Sequence, residues 1–245
     1  MFMNARSMVL SGLLTFSAVV SATTWLPTRI TDPISGKQCV VQTPGSSGSY
    51  IYQWPEKYDQ VFWPLTDRYG IWVCRSSGFA AFIGDIELDD EEKTAIRRFL
   101  KNAVPLPKEA GMGAVLARVE SIYALRKVEP DAKSRILRAL AYQYESNGLQ
   151  AKANELRSQA AAIMETRLAD EKLEPMLRLQ YLFVTANYAR ELGQVESSDQ
   201  KLKQLSPLLA DASTDEKLKG YAEYVQELIV SARKIAPGGR LAPGE

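Results

Sequence analysis

Residues able to do chemistry are few in this 245-residue chain, and one whole class of them is missing. The chain has no histidine, which excludes histidine-based triads, histidine general bases and histidine metal ligands. Its serines do not lie in a G-x-S-x-G elbow, and no histidine is present to activate one. A Ser–Lys pair stays open, although nothing in the sequence selects one. The residue types therefore predict a protein that is not an enzyme.

A run of acidic residues is the main remaining candidate for catalysis. The run consists of Asp85, Glu87, Asp89, Asp90, Glu91 and Glu92. Two such carboxylates could serve a glycoside hydrolase, and several together could bind a divalent cation. Acids are also favoured in the first turn of a helix, where they interact with the helix dipole, and a helical pattern begins here. We favour this second interpretation and expect no cofactor and no metal ion.

A cluster of aromatic residues between positions 50 and 72 is the second candidate site. Its members are Tyr50, Tyr52, Trp54, Tyr58, Phe62, Trp63, Tyr69 and Trp72. Such rings could stack on the sugars of a cell-wall glycan or anchor a partner protein. The alternation in the stretch YGIWVC predicts a strand covered on both faces. This favours rings that form the core of a small module with few aliphatic residues.

The N-terminus and the composition indicate an exported protein. In residues 1–22, Arg6 precedes about fourteen mostly apolar residues, and Val20-Ser21-Ala22 offers small residues for cleavage. The apolar run is short for a membrane span, although an uncleaved anchor is the alternative. We expect a signal peptide over 1–22, cleaved near Ala22, a periplasmic or secreted location, and no stable membrane insertion afterwards. The net charge of +1 gives no reason to expect a nucleic-acid partner.

Two regions of different character follow the predicted signal peptide. Residues 23–87 are rich in Trp, Tyr, Pro, Gly and β-branched residues and predict a small β-rich module, in which 43–49 form a turn between QCVVQ and YIYQW. Residues 88–236 predict an α-helical domain, and residues 237–245 a flexible tail. The helical patterns fall at 89–103, 114–128, 131–147, 150–169, 175–192, 195–210 and 214–234. We therefore expect a mainly α fold with a small β-rich N-terminal module.

The predicted helices carry start and stop signals and a repeated pattern of small residues. Pro130 and Pro175 suit a first helical position, whereas Gly148 and Gly193 follow helix ends. The facing positions are Leu137, Leu140, Ala141, Tyr144, Ala153 and Ala160, and then Leu182, Ala186, Ala189, Leu202 and Leu205. This pattern resembles the tetratricopeptide repeat, in which small residues let antiparallel helices approach closely. It predicts an antiparallel helical repeat array, with a generic helical bundle as the alternative.

Two glycine-containing turns in the N-terminal module are similar to zinc knuckles. They read Asp32-Pro33-Ile34-Ser35-Gly36 and Cys74-Arg75-Ser76-Ser77-Gly78, the second followed by Phe79-Ala80-Ala81. Together with the acidic helix and the repeat-like helices, they resemble an uncharacterised bacterial domain-of-unknown-function family over residues 31 to about 210. In that family, a zinc ribbon with knuckles Cys-Pro-x-Cys-Gly and Cys-x-x-Cys-Gly-Tyr/Phe-Ala precedes tetratricopeptide-like helices. The resemblance implies a degenerate zinc-ribbon-like module.

The resemblance places the ligand positions of the zinc ribbon at Asp32, Ser35, Cys74 and Ser77. One thiolate, one carboxylate and two hydroxyls form too weak a set for a structural zinc ion, so we expect none. Cys39 and Cys74 are the two cysteines of the chain, and in an oxidising compartment we expect them to form a disulfide. Such a cross-link would stabilise the module by about 3–4 kcal/mol on the chain-entropy model. Two unpaired buried thiols are the alternative.

The tetratricopeptide resemblance also implies a partner-binding groove. In such proteins the first helix of each pair lines a concave face that binds an extended peptide or a partner helix. The corresponding outward positions here are Arg138, Tyr142, Glu145, Phe183, Asn187 and Arg190. We expect an exported, non-catalytic interaction scaffold or accessory subunit of a bacterial envelope complex, whose partner is another envelope protein or peptide. The alternative is an envelope glycan-binding module or weak hydrolase that uses the aromatic cluster and the acids of 85–92.

Overall fold

The computed structural model describes residues 24–46, 54–107 and 109–235, with the side chains of 54–56 left out. The predicted signal peptide, Tyr50, Tyr52 and the predicted tail 237–245 lie outside the described residues. The described part is mainly helical and carries short antiparallel strand pairs near its N-terminus, which confirms the predicted mainly α class.

The described strands form two antiparallel hairpins. They are β1 (Thr24–Thr31) with β2 (Gln38–Ser46), and β3 (Ile71–Cys74) with β4 (Phe79–Phe82). The predicted strand QCVVQ is therefore present, and the predicted strand YGIWVC is present over Ile71–Cys74, whereas Tyr69 and Gly70 belong to a short 3-10 turn before it. The predicted turn after QCVVQ is wrong over 43–46, because β2 continues there in register with β1. The indole N–H of Trp72 donates to the carbonyl of Gln42 at 2.8 Å, which ties the second hairpin to the first.

The helices of the described chain are α1 (Trp54–Asp59), α2 (Asp90–Asn102), α3 (Met112–Tyr123), α4 (Pro130–Ser146), α5 (Gln150–Leu168), α6 (Pro175–Glu191), α7 (Val195–Ala212) and α8 (Lys219–Ala232). Helices α2 and α4 to α7 match the predicted patterns within about two residues at each end, whereas α3 ends five residues before the predicted end at 128 and α1 was not predicted. The predicted start of the last helix at 214 is wrong. Asp215 accepts a hydrogen bond from the backbone N–H of Lys217 at 2.8 Å in a turn instead, and α8 begins after it.

Two pairs of consecutive helices are joined by the same kind of turn. Gly148 ends α4 with φ of +76° and Gly193 ends α6 with φ of +79°, a left-handed conformation that glycine adopts without strain. The next N–H in each turn, of Leu149 and of Gln194, bonds to the carbonyl five residues earlier, at 2.9 and 2.7 Å. Because each turn is so short, α4 must run antiparallel to α5, and α6 antiparallel to α7.

One continuous core connects the strands to the helices. It extends from Val41 and Cys74 in the strands to Val225 and Ile235 at the end of the described chain. The residues predicted to face each other across the helix pairs are buried within it: Leu137, Leu140, Ala141, Tyr144, Ala153, Ala160, Leu182, Ala186, Ala189, Leu202 and Leu205. Alanine has no side chain beyond Cβ, so these positions allow the helices of each pair to pack against one another.

Candidate functional site

The most unusual polar site of the protein lies where the end of α1 enters the helical domain. Helix α1 stops at Asp59, and Gln60 adopts a left-handed φ of +50°, which turns the chain away from the helix. The side chain of Asp59 is fully buried. A carboxylate in this position must be paired, because an isolated buried charge is very unfavourable.

Arg157 of α5 is the partner of Asp59. Its Nε lies 3.0 Å from Oδ1 and its Nη2 lies 2.9 Å from Oδ2, a two-pronged ion pair in which both side chains are fully buried. The hydroxyl of Tyr188 donates to Oδ1 at 2.6 Å. The rings of Tyr58 and Tyr188 lie 5.2 and 5.7 Å from the guanidinium carbon. Both oxygens of the Asp59 carboxylate are thus bound, within an aromatic enclosure.

Two further carboxylates share the Arg157 guanidinium. Nη1 lies 2.9 Å from a carboxylate oxygen of Glu191, and Nη2 also pairs with Glu145. Burial lowers the pKa of Arg157, but the nearby charge and hydrogen bonds of Asp59 outweigh it, so the net pKa is raised above the ordinary value. Burial, followed by the charge of Asp59, raises the pKa of Tyr188 well above its usual range. The cluster therefore holds a cationic arginine and a neutral tyrosine.

The backbone around and beyond Asp59 is held by side chains of α4 and α6. Arg138 donates to the carbonyl of Asp59 at 3.1 Å, and Asn187 donates to that of Tyr58 at 3.5 Å. Gln143 donates to the carbonyls of Leu65 and Asp67 at 2.6 and 3.2 Å. The hydroxyl of Tyr221 on α8 lies 3.1 Å from Oε1 of Gln60. Segment 58–67 is thus bound along its length, and we call the helical surface that holds it the groove.

The predicted groove residues lie in this region, but they do not face solvent. Arg138, Tyr142, Phe183 and Asn187 are buried, whereas Glu145 and Arg190 are half-buried. The prediction that they are outward-facing is wrong for the four buried residues. Arg138 and Asn187 already bind segment 58–67. Arg190 has a different role, because its guanidinium donates to the carbonyls of Ile235 and Arg233 just beyond α8, at 2.6 and 2.9 Å.

Sequence reasoning missed the central pair, Asp59 and Arg157. One signal for it was present, because Arg157 is four residues after Ala153 and three before Ala160, on the face of α5 that packs inward. A charged residue on such a face must have a buried partner. Nothing local identified that partner, which lies far away along the chain.

The described members of the aromatic cluster are buried or half-buried. Tyr58 and Trp72 are buried, and Phe62, Trp63 and Tyr69 are half-buried, while the side chain of Trp54 lies outside the description. Trp25 joins them, with ring centroids 5.9 Å from Trp63 and 5.5 Å from Tyr69 and planes tilted by 49° and 51°. Coplanar exposed rings, which a sugar platform would require, do not occur among these contacts.

Three of the acids of 85–92, namely Asp85, Asp89 and Glu92, are engaged in structural contacts. Asp89 caps α2 by accepting from the N–H of Glu92 at 2.7 Å, and the Glu92 side chain accepts from the N–H of Asp89 at 3.0 Å. Asp85 pairs with Arg126 at 2.6 Å and accepts from the hydroxyl of Tyr123 at 2.5 Å. Burial and then the charge of Asp85 raise the pKa of Tyr123. No group of three acids or cysteines among the described residues is placed to hold a metal ion.

The two knuckle-like turns have matching backbone geometry. The N–H of Gly36 bonds to the carbonyl of Asp32 at 2.9 Å, and that of Gly78 bonds to the carbonyl of Cys74 at 2.8 Å. Both glycines are left-handed, with φ of +71° and +79°. The buried carboxylate of Asp32 joins the turns, because it accepts from the Ser35 hydroxyl at 2.6 Å and from Ser76 at 3.3 Å. A hydrogen-bonded carboxylate thus occupies the space between them.

The predicted disulfide between Cys39 and Cys74 is present, with a Cα–Cα distance of 5.4 Å. It links β2 to the end of β3, beside the two turns. Because the cysteines are 35 residues apart, the bond closes most of the β-rich region into one loop.

No family model, curated protein or solved structure matches this chain. None of the helices in the described part of the chain is both long and apolar enough to cross a membrane.

Proposed function

We propose that this protein is a non-catalytic interaction scaffold or accessory subunit of a bacterial envelope complex. The observation that carries the proposal is the way in which the groove holds segment 58–67. Side-chain donors on α4 and α6 bind backbone carbonyls of the segment, while Arg157 binds the buried carboxylate of Asp59. Donors to the backbone combined with a charged anchor are suited to binding an extended chain.

In this protein the groove is occupied by its own chain, which changes where a partner would bind. Through segment 58–67, the groove holds the β-rich region against the helices. The partner therefore binds the outer surface of the protein and not the groove. Apolar residues are exposed there at three separate places, on two elements and one loop. They are Val40 on β2 at 60%, Val104 after α2 at 82%, and Val230 on α8 at 63% exposure.

The proposal includes the two architectural resemblances. The matched turns at Gly148 and Gly193, together with the buried alanines, support a tetratricopeptide-like array of antiparallel helix pairs. The matched turns at Gly36 and Gly78 support a degenerate zinc-ribbon-like module, in which Asp32 and the disulfide replace the metal. The disulfide is also compatible with the proposed export, because such bonds persist in oxidising compartments.

The proposal can be tested by cross-linking inside cells. A photo-reactive amino acid is placed in turn at Val40, Val104 and Val230, and the envelope fraction is irradiated. We expect at least one position to give an adduct of one defined mass, and the same sample without irradiation to give none. If all three positions give only the free protein, the scaffold proposal is wrong. Release of reducing ends from cell-wall glycan by the purified protein would contradict its non-catalytic part.

A further inference from the structure

An apolar cavity lies at one end of the helix pair α6 and α7, the end opposite to the turn that joins them. It has a volume of about 380 Å³ and lies between the start of α6, the end of α7 and the residues before α8. Its walls are aliphatic, formed by Leu173, Pro175, Leu179, Leu208, Ala212 and Leu218. This volume is within the range of pockets that bind ligands or large side chains.

The rim of this cavity is acidic. Glu171 lines it from the residues before α6, and Asp211 and Asp215 line it from the end of α7 and the turn that follows; all three are exposed. No salt bridge to a described residue holds these carboxylates, and only Asp215 accepts a hydrogen bond, from the N–H of Lys217. Arg178 is the one cationic residue among those that line the cavity. Its guanidinium donates to the backbone carbonyls of Leu168 and Asp170.

We propose that this cavity binds a basic peptide segment of a partner protein, one with a large apolar side chain flanked by lysines or arginines. The apolar side chain would fill the aliphatic cavity, and the flanking cations would meet the carboxylates of Glu171, Asp211 and Asp215. Because those carboxylates line the cavity from two separate stretches of the chain, before α6 and at the end of α7, they complement positive charge on both sides of a single apolar anchor. This inference rests on the proposed function as a scaffold and names the chemistry of its partner.

The test uses the full-length protein and labelled peptides. Fluorescence anisotropy is measured with a fluorescein-labelled Lys-Arg-Leu-Arg-Lys peptide, with the same peptide carrying Ser in place of Leu, and with one carrying Glu in place of each cation. We expect saturable binding of the first peptide, weakened by salt, and much weaker binding of the other two. Equal binding of the Leu and Ser peptides would overturn the proposal, as would no binding of the first.

Variants then locate the binding. Asp211→Asn and Glu171→Gln should each weaken binding of the first peptide about twofold to fivefold, since exposed ion pairs contribute little individually. Glu196→Gln is the matched control, because Glu196 is an exposed acid at the other end of α7. An equal effect of the control would show general charge attraction and overturn the proposal.

Sedimentation of the protein without peptide tests whether a second copy of this chain, and not a basic peptide, fills the cavity. A concentration-dependent dimer that Asp211→Asn dissociates would mean that a second copy of this chain fills the cavity, which also overturns the proposal. Failure of the peptide test alone leaves the cross-linking test of the scaffold function intact, because that test uses positions outside the cavity.

Discussion

A guanidinium that is taken out of water loses several kcal/mol of hydration, and only well-placed carboxylates offset this loss. Arg157 has three such carboxylates, from Asp59, Glu145 and Glu191. If the arginine is removed, Asp59 stays buried without its cationic partner. The groove region therefore depends on this side chain far more than on any exposed ion pair.

We predict that Arg157→Met lowers the free energy of unfolding by about 3–5 kcal/mol, the usual cost of leaving one member of a buried pair unpaired. Arg167→Met is a matched control on the same helix. Arg167 also pairs with an aspartate, Asp131, but its side chain is 28% exposed, and we expect a loss of about 1 kcal/mol or less. Urea unfolding followed by circular dichroism measures both. Equal losses in the two variants would contradict the assigned role of Arg157.

Asp32 gives a prediction for the dependence of stability on pH. Burial raises the pKa of Asp32, but hydrogen bonds from the Ser35 hydroxyl and the Ile34 N–H outweigh it, so the net pKa lies below the ordinary value of 3.8. A carboxyl with a lowered pKa stabilises the folded state above that value, and the contribution is lost as the pH falls through the folded pKa. The stability difference between the wild type and Asp32→Asn should therefore be largest near neutral pH and shrink below pH 3.8.

Ser35→Ala provides the second variant for this prediction. Because the Ser35 hydroxyl lowers the pKa of Asp32, its removal should raise that pKa and reduce the stabilisation at neutral pH. Unfolding free energies from urea titrations at several pH values test both variants. A wild type and an Asp32→Asn protein that differ equally at every pH would contradict the assignment.

The two β-hairpins are small elements that need a cross-link, since neither could be stable alone in water. The disulfide supplies one link between them, and the hydrogen bond from Trp72 to Gln42 supplies another. The helix pairs differ, because they are packed mainly against neighbouring helices in a continuous core. Loss of the disulfide should therefore affect the two kinds of element unequally.

We predict that Cys74→Ser destabilises the protein by about 3–4 kcal/mol on the chain-entropy model, with the effect concentrated in β2 and β3. Hydrogen exchange should show lost protection in these strands, while α4 to α7 keep theirs. Cys39→Ser is the matched control and should behave alike, because either change breaks the same bond. Two thiols that label freely in denatured, unreduced protein from the envelope would contradict the disulfide itself.

With its disulfide intact, the molecule as a whole should unfold as one unit, because segment 58–67 is held in the groove and connects the strands to the helices. All four tryptophans, Trp25, Trp54, Trp63 and Trp72, precede the long helices, whereas the helices dominate the far-ultraviolet circular dichroism. We predict that tryptophan fluorescence and circular dichroism report the same urea midpoint. A fluorescence midpoint at lower urea would show that the β-rich region separates first, and would contradict the role of the groove as its anchor.

The sequence by itself determined most of the helical elements and the cross-link. Pro130 and Pro175 are first helical residues, because the fixed φ of proline suits that position. Gly148 and Gly193 end helices, because glycine adopts the left-handed conformation needed there. The buried alanines followed from helical periodicity. These features depend on residues within a few positions of one another, which is why they could be predicted from the pattern alone. The cysteine pair could be predicted because the chain has only two.

Only the tertiary structure decided what occupies the groove. Asp59 and Arg157 lie 98 residues apart, and no periodicity connects α1 to α5. Four of the predicted groove positions on α4 and α6 are buried rather than outward-facing, and two of these, Arg138 and Asn187, bind segment 58–67. Whether a polar side chain faces water or another part of the chain is set by which segments pack together in three dimensions. That choice depends on the sum of contacts over the whole molecule, and a local pattern does not contain it.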